Sequence, residues 1–375
     1  MRALFWLSAA ALAWTQAGYG LLVALLARTR LARAPRHEPL TPEPLVSLIV
    51  AAHREEAVIA AKVSNAAALD WPRDRLEIIV AVDGGNAPDA DATAVRALAA
   101  GADVVLELAR GGKVRSQDAA VARARGELLA FSDANALWEP AALRELTAAF
   151  ADPGVGYACG RVRFVNATGT NQEGLYWRYE MWLRGHESAL ASVTAGNGAI
   201  YAVRRNAYFE ADPIMGHDLS FPYALVKRGW RCVDVPGARA TEKMVPTIEG
   251  EWARKRRMMT HAWPIVLRGG LLDPRGYPPR YALMISSHRA LRYASPFLHV
   301  LLVLAALAAP GRAQRAALAA HAAVLACALA GGSLRTRPLL VARYYVMTTA
   351  ALAAGLLDVL RHGTEAGWDA PEGTR

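Results

Sequence analysis

The stretch LEIIVAVDGG, residues 76–85, is a nearly continuous aliphatic run that ends in an aspartate and two glycines. A run of this length without polar alternation marks a strand covered on both faces, as in a parallel sheet. The pattern recurs on either side, in LVSLIVAAH (45–53), ADVVLEL (102–108) and ELLAFSDAN (127–135). Between these runs, REEAVIAAKVSNAAAL, DADATAVRALAAG and the glycine-opened GGKVRSQDAAVARARG carry helical spacing. Strands alternating with helices predict an α/β domain built on a parallel, doubly wound sheet. Such sheets bind ligands at the carboxyl ends of their strands. His53-Arg54-Glu55-Glu56, Asp83 and Asp133 all fall at such ends.

Each of these residues has an ordinary reading beside a functional one. Asp83, followed by Gly84 and Gly85, accepts bonds from a base or ribose, or simply closes a turn, since Asp-Gly is a common turn pair. In FSDANALWEP (131–140), Asp133 and Asn135 stand two apart beyond a strand, where they either hold a hard divalent cation or form an Asx turn ahead of the helix opened by Pro140. As a weaker oxygen donor, Asn135 suits a metal or a ribose hydroxyl. Lys113, in RGGKVRSQ, resembles a phosphate-gripping lysine without Walker A spacing, or is a solvated lysine at a helix start.

The chain has 375 residues, 54% of them hydrophobic, and a formal charge of +10. Residues 4–27 carry no charge and are long enough to cross a bilayer as one helix. Their apolar core is longer than a signal peptide's and no A-x-A site follows, so an uncleaved anchor is expected. Arg28, Arg30, Arg33 and Arg36 behind it keep the middle of the chain in the cytoplasm by the positive-inside rule. From residue 294 the chain turns apolar again, in two to three near-spanning segments. The expected organisation is an anchor over 1–28, a Pro-rich linker over 29–44, a catalytic domain over 45–270, an interfacial segment over 271–293, a membrane region over 294–361 and a polar tail over 362–375. The basic residues gather beside apolar segments and in RKRR, with no interleaved stacking aromatics, which points to membrane surfaces and phosphate-bearing ligands and away from nucleic acid. Cys159, Cys232 and Cys327 have neither metal nor disulfide spacing.

In this order, a strand then Glu, a strand then Asp-Gly, a Gly-Lys helix and a strand then Asp-x-Asn, the chain resembles membrane-bound family 2 glycosyltransferases of the GT-A fold over residues 45–265. The likeness extends to the cellulose, hyaluronan and poly-N-acetylglucosamine synthase-like branches and to the ceramide glucosyltransferase-like branch. It implies a Rossmann-like, mostly parallel sheet in a cytoplasmic domain flanked by transmembrane helices. It also implies that Glu55 or Glu56 and Asp83 serve the donor nucleotide, and that Asp133 with Asn135 stands for the Asp-x-Asp signature holding Mg²⁺ or Mn²⁺ and diphosphate. Gly196, Asn197 and Gly198, in SVTAGNGAIYAVRR (192–205), fall near the transferred sugar and its acceptor. Asp218, in MGHD (215–218), takes the place of the general base. Arg254 and Arg257, in EWARKRRMM, match the family's Arg-x-x-Arg, which neutralises the leaving diphosphate. Methionine replaces the tryptophan that normally follows, with Trp252 the nearby aromatic for an acceptor. Lys113 joins the donor set.

The resemblance implies an inverting enzyme of the inner cell membrane that takes a UDP- or GDP-sugar and serves a lipid-linked or glycan acceptor in envelope polysaccharide or glycolipid synthesis. The alternatives are a nucleotidyltransferase, whose basic Gly-rich first loop is missing from AAHREEA, and an inactive membrane scaffold of the same fold, which would not need Asp83, Asp133 and Asp218 together.

Overall fold

A computed structural model describes residues 1–33, 36–165, 173–243, 248–334 and 336–366. Residues 34–35 of the linker and 367–375 of the polar tail lie outside the described residues. The strands are β1 Val46–Ala52, β2 Leu76–Asp83, β3 Val104–Leu108, β4 Leu128–Asp133, β5 Leu137–Trp138, β6 Val155–Val165, β7 Tyr201–Arg204 and β8 Arg231–Lys243. They form one mixed sheet in the order β3-β2-β1-β4-β7-β6-β8-β5. The first four are parallel, as their unalternating apolar sequences predict. Alternate residues of β1 serve opposite faces: Leu48 and Val50 enter one core, Ile49 the other.

Register sets the ligand edge. Ala51 of β1 lies opposite Asp133 of β4, and Ala52 opposite Val82 of β2, so the loops after β1, β2 and β4 open on one side. The far half of the sheet is mostly antiparallel and was not evident in the sequence. β7 runs against β4 and β6, while β6 runs alongside β8 with two register shifts, at Val155/Tyr157 and Cys159/Arg161. These irregularities twist the outer pair. They leave Glu242 of β8 opposite Phe164 of β6.

Helix Glu173–Leu190 ties the sheet to the membrane segments. The carboxylate of Asp234, fully buried, receives Arg184 Nε at 2.8 Å and Arg161 Nη2 at 2.5 Å. On the same helix, Glu187 Oε1 accepts the Tyr19 hydroxyl at 2.6 Å. Among the described residues, four helices are long and apolar enough to cross a bilayer: Arg2–Leu26, Pro279–Ala308, Arg312–Ala330 and Arg337–His362. The first and second widen into π-turns at Trp14–Gly18 and Ile285–Ala290. There Trp14 Nε1 donates to Ser287 Oγ at 2.9 Å. The interfacial segment expected to end at 293 is not a separate element. Its helix continues through Pro296 to Ala308, and Phe5 packs with Leu302, Ala305 and Ala306 at the distant end.

The helix Arg337–His362 turns back to the catalytic domain. It packs along helix Ile248–Leu267, where Arg256 grips Asp358 with two bonds of 2.5 and 2.6 Å and Trp263 Nε1 donates to the Leu352 carbonyl at 2.8 Å. Beyond it, Thr364 Oγ1 donates to the Thr260 carbonyl at 2.9 Å.

Asp234 is fully buried and holds the buried guanidinium of Arg184 as well as the part-exposed one of Arg161, so its loss strands a buried charge. Asp234→Ala is expected to cost about 3–5 kcal/mol, seen as a markedly lower thermal unfolding midpoint of the detergent-solubilised protein. An unchanged midpoint would show that the pair does not hold the helix to the sheet.

Candidate active site

The loop after β1 and the end of β2 enclose a cavity of about 310 Å³ lined by His53, Arg54, Asp83, Gly84 and Arg110. Asp83 does more than close a turn. Its Oδ1 accepts the N–H groups of Gly111 and Gly112 at 2.6 and 3.0 Å, and Arg110 Nη1 stands 3.2 Å from Oδ2. The carboxylate therefore fixes the glycine loop that opens the Lys113–Arg123 helix. His53 Nδ1 donates to the Asp83 carbonyl at 2.7 Å, which ties the loop after β1 to the end of β2. Gly112 has φ +89, and a Cβ there would meet the carbonyl oxygen of Ala366 at 1.9 Å, so only glycine lets Ala366 approach. Glu55 is buried. Its backbone N–H bonds Thr93 Oγ1 at 2.9 Å, and its carbonyl accepts from Val58 and Ile59, which opens the next helix.

A charged cluster lies beyond the β4 end. Lys113 Nζ bonds Asp133 Oδ1. Burial works against the Lys113 charge, but the carboxylates of Asp133, Asp218 and Glu242 outweigh it and hold its pKa above the ordinary lysine value. A Cβ on Gly198 would come within 3.0 Å of Lys113 Nζ and 3.8 Å of Asp133 Oδ2, so the 194–198 loop lies against this pair. Gly196 donates its N–H to the Asp218 carbonyl at 2.7 Å, and a Cβ there would strike the Tyr157 hydroxyl at 1.9 Å. Asp218 stands half-buried at the start of helix His217–Lys227, with Oδ1 accepting the Leu219 N–H at 3.0 Å.

The amide of Asn197 is taken up inside the protein. Nδ2 donates to the Gly160 carbonyl at 2.7 Å, and Oδ1 accepts the N–H groups of Ala199 and Ile200. The expected acceptor contact is thereby recast: the side chain shapes the loop. Asn135 sits half-buried on the turn after Asp133, its side chain making no hydrogen bond among the described residues. Arg254 is held by Glu251 at 2.8 and 2.9 Å with its guanidinium over Phe164. Arg257 and Asp218 both act electrostatically on His261, which is desolvated and shifted below the ordinary histidine value. Trp252, half-buried on the same helix, is not tied to this cluster by any contact among the described residues. His217 is a core residue: buried, bonded through Nδ1 to the Tyr201 hydroxyl at 2.8 Å, and driven far toward the neutral form by burial and by Lys113.

Two members of the site escaped the sequence reading. Glu242, in GARATEK at the end of β8, has a carboxyl pushed up to about 7, first by burial and then by the charge of Asp133, against the pull of Lys113, Arg254 and Lys62. Its Oε1 is buried without a hydrogen-bond partner among the described residues. Lys62 is fully buried, with Nζ donating to the Ala136 carbonyl at 2.7 Å and lying over the Trp138 ring. Burial pushes its amine down to about 7, opposed by Asp133 and Glu242. A signal for Lys62 was present: it shares the helical stripe of Ile59, Val63 and Ala66 that faces the sheet. Glu242 had none, because only long-range pairing carries it to Asp133.

A model of the glycosyltransferase-like family 2 matches residues 42–260, more than half of the chain. No curated protein sequence matches. Among solved structures, a mannosyltransferase from Pyrobaculum calidifontis, in complex with GDP-Man and Mn²⁺, is 24% identical, with 96% of this chain and 99% of that chain covered at a TM-score of 0.74. A glucosyl-3-phosphoglycerate synthase from Mycobacterium tuberculosis, solved with Mn²⁺, UDP and glucosyl-3-phosphoglycerate, is 19% identical over 63% of this chain and 81% of that chain, with a TM-score of 0.42. The first of these shares the fold, a GT-A-type mixed sheet joined to candidate membrane helices. By its family match, the chain belongs to glycosyltransferase-like family 2.

Proposed function

We propose that this chain is an inverting, metal-dependent enzyme that moves a hexosyl or N-acetylhexosaminyl group from a UDP- or GDP-sugar to a lipid-linked or glycan acceptor at the cytoplasmic face of the inner membrane. Its product belongs to envelope polysaccharide or glycolipid synthesis. The observation that carries this reading is the bond of Lys113 Nζ to Asp133 against the 194–198 loop, with Asp218 and Glu242 near enough to act on that lysine, beyond the cavity at the β1 and β2 ends.

The nucleoside occupies that cavity, which His53, Asp83 and Arg110 line. The diphosphate extends toward Lys113, and Arg254 and Arg257 balance the charge it gains on leaving. Two carboxylates that repel each other, one with an orphaned buried oxygen, suit a divalent cation. Among the described residues no three His, Cys, Asp or Glu side chains form a complete cage. That donor set fits Mg²⁺ or Mn²⁺ shared with substrate phosphates, with Asp133 and Glu242 as ligands and Asn135 as the weaker oxygen. When bound, such an ion supplies positive charge to the leaving diphosphate. The P. calidifontis mannosyltransferase was solved with a nucleotide sugar and Mn²⁺, the same pairing proposed here. Asp218 accepts the proton of the acceptor hydroxyl as its oxygen bonds the anomeric carbon and the carbon–phosphate-oxygen bond breaks. A single displacement inverts the anomeric centre.

The membrane arrangement follows from where the chain returns. The anchor delivers the chain to β1, and residues 358–366 lie back on the same domain. An even number of crossings therefore separates them. Pro279–Ala308 and Arg312–Ala330 supply two, and Arg337–His362 lies along the catalytic domain at the membrane surface.

Asp218→Asn is expected to lower transfer by about 10²–10⁴-fold while nucleoside diphosphate binding, measured with Mn²⁺, stays unchanged. Wild-type turnover in that variant would remove Asp218 from the role of base. Glu242 gives a second test. A carboxyl whose pKa rises on folding loses stability as pH climbs between its two values, here from about 4.5 to about 7. At pH 8 in the absence of metal, Glu242→Gln should therefore stabilise the protein by about 1–3 kcal/mol. The same variant should lose the thermal stabilisation that Mn²⁺ gives the wild type. Metal stabilisation persisting in full would place the cation elsewhere.

A further inference from the structure

A second cavity, of about 840 Å³, lies between helix Glu173–Leu190 and the paired ends of β6 and β8. Its mouth includes Ala27 and Arg28, immediately after the first candidate span ends at Leu26. We propose that this cavity binds the phosphate-bearing headgroup of a membrane lipid.

Charge is the first argument. Arg28, Arg163, Arg178 and Arg239 line the cavity and are exposed, whereas Glu139 is the one carboxylate lining it among the described residues. Arg28, Arg163 and Arg178 have no carboxylate partner among the described residues, in contrast to Arg161 in the same wall, which is bound to Asp234 at 2.5 Å. Guanidiniums left free of carboxylates in a concave site suit phosphate, which they bind in a bidentate, charge-assisted manner. The volume falls within the range of small-molecule sites.

Position is the second argument. The cavity's lining includes the residues just after the first candidate span, and two indoles line it as well. Trp177 is fixed by donation from Nε1 to the Val162 carbonyl at 2.9 Å and packs edge-on against Phe164. Trp182 is 40% exposed and lies against His186 with the rings tilted and their centroids 4.5 Å apart. Tryptophan with its apolar body at a bilayer surface is a common interfacial anchor. Basic residues at such a surface draw anionic headgroups. Arginines and indoles together favour a lipid over free phosphate, which would use only the former. The inference rests on the membrane arrangement proposed above but not on sugar transfer, so its failure leaves the reading of Asp133 and Asp218 intact.

The test uses the full chain in a neutral detergent, with calorimetric titration of dioctanoyl phosphatidic acid, dioctanoylglycerol and inorganic phosphate. Saturable binding of the phosphatidic acid is expected, with the other two at least about tenfold weaker. The double variant Arg163→Glu/Arg178→Glu should weaken it by about tenfold or more, and Arg163→Lys/Arg178→Lys, which keeps the charge but not the bidentate fork, should weaken it less. Unchanged nucleoside diphosphate binding verifies that each variant is folded; should the double variant fail that check, Arg178→Gln on the exposed helix face takes its place. Absence of saturable binding, equal binding of dioctanoylglycerol or inorganic phosphate, or affinity untouched by the acidic or glutamine substitution would overturn the proposal.

Discussion

Three carboxylates and one ammonium set the terms for the rest of this structure. Asp133, Asp218 and Glu242 come from the end of a parallel strand, the start of a helix and the far end of an edge-side strand, and all act on Lys113. Like charges gathered in a partly buried place are unfavourable unless cations answer them. Lys113 answers part of that charge, Lys62 part from beneath, and Arg254 part from the helix across the site. Burial first, and the charge of Asp133 after it, still hold the Glu242 carboxyl above its ordinary range.

The architecture is what holds these groups at one place. Parallel β1, β2 and β4 align their loops on one edge, and Asp83 uses its carboxylate to fix the glycine loop before Lys113. The antiparallel β7 and the irregular β6–β8 pair bring Gly198 and Glu242 round to the same edge. The arginine-bearing helix Ile248–Leu267 is clamped by Asp358 from the last long helix. The candidate membrane helices and the proposed site are thus one mechanical unit: the helix presenting Arg254 is braced by Asp358 of the last long helix.

Much of this was legible in the sequence, and the limits have physical causes. The parallel half was readable because strands buried on both faces are apolar without alternation, which is a local signal. Asp83, Lys113 and Asp133 stand out in the sequence as candidates because strand ends and a glycine-opened helix are also local features. The second half depends on long-range pairing, so Glu242 in its short, mixed stretch gave no sign of its partner. Asn197 shows the opposite limit. Its place in a small-residue loop was correct, but the sequence did not reveal that Gly160, Ala199 and Ile200 take up its amide.

The most direct test of the account is anomalous scattering from Mn²⁺ in crystals of the full chain grown with a nucleoside diphosphate. The account predicts one strong peak between the carboxylates of Asp133 and Glu242, with the diphosphate facing Lys113 and the base against His53 and Asp83. A peak away from both carboxylates, or a nucleotide bound outside the β1–β2 cavity, would contradict it.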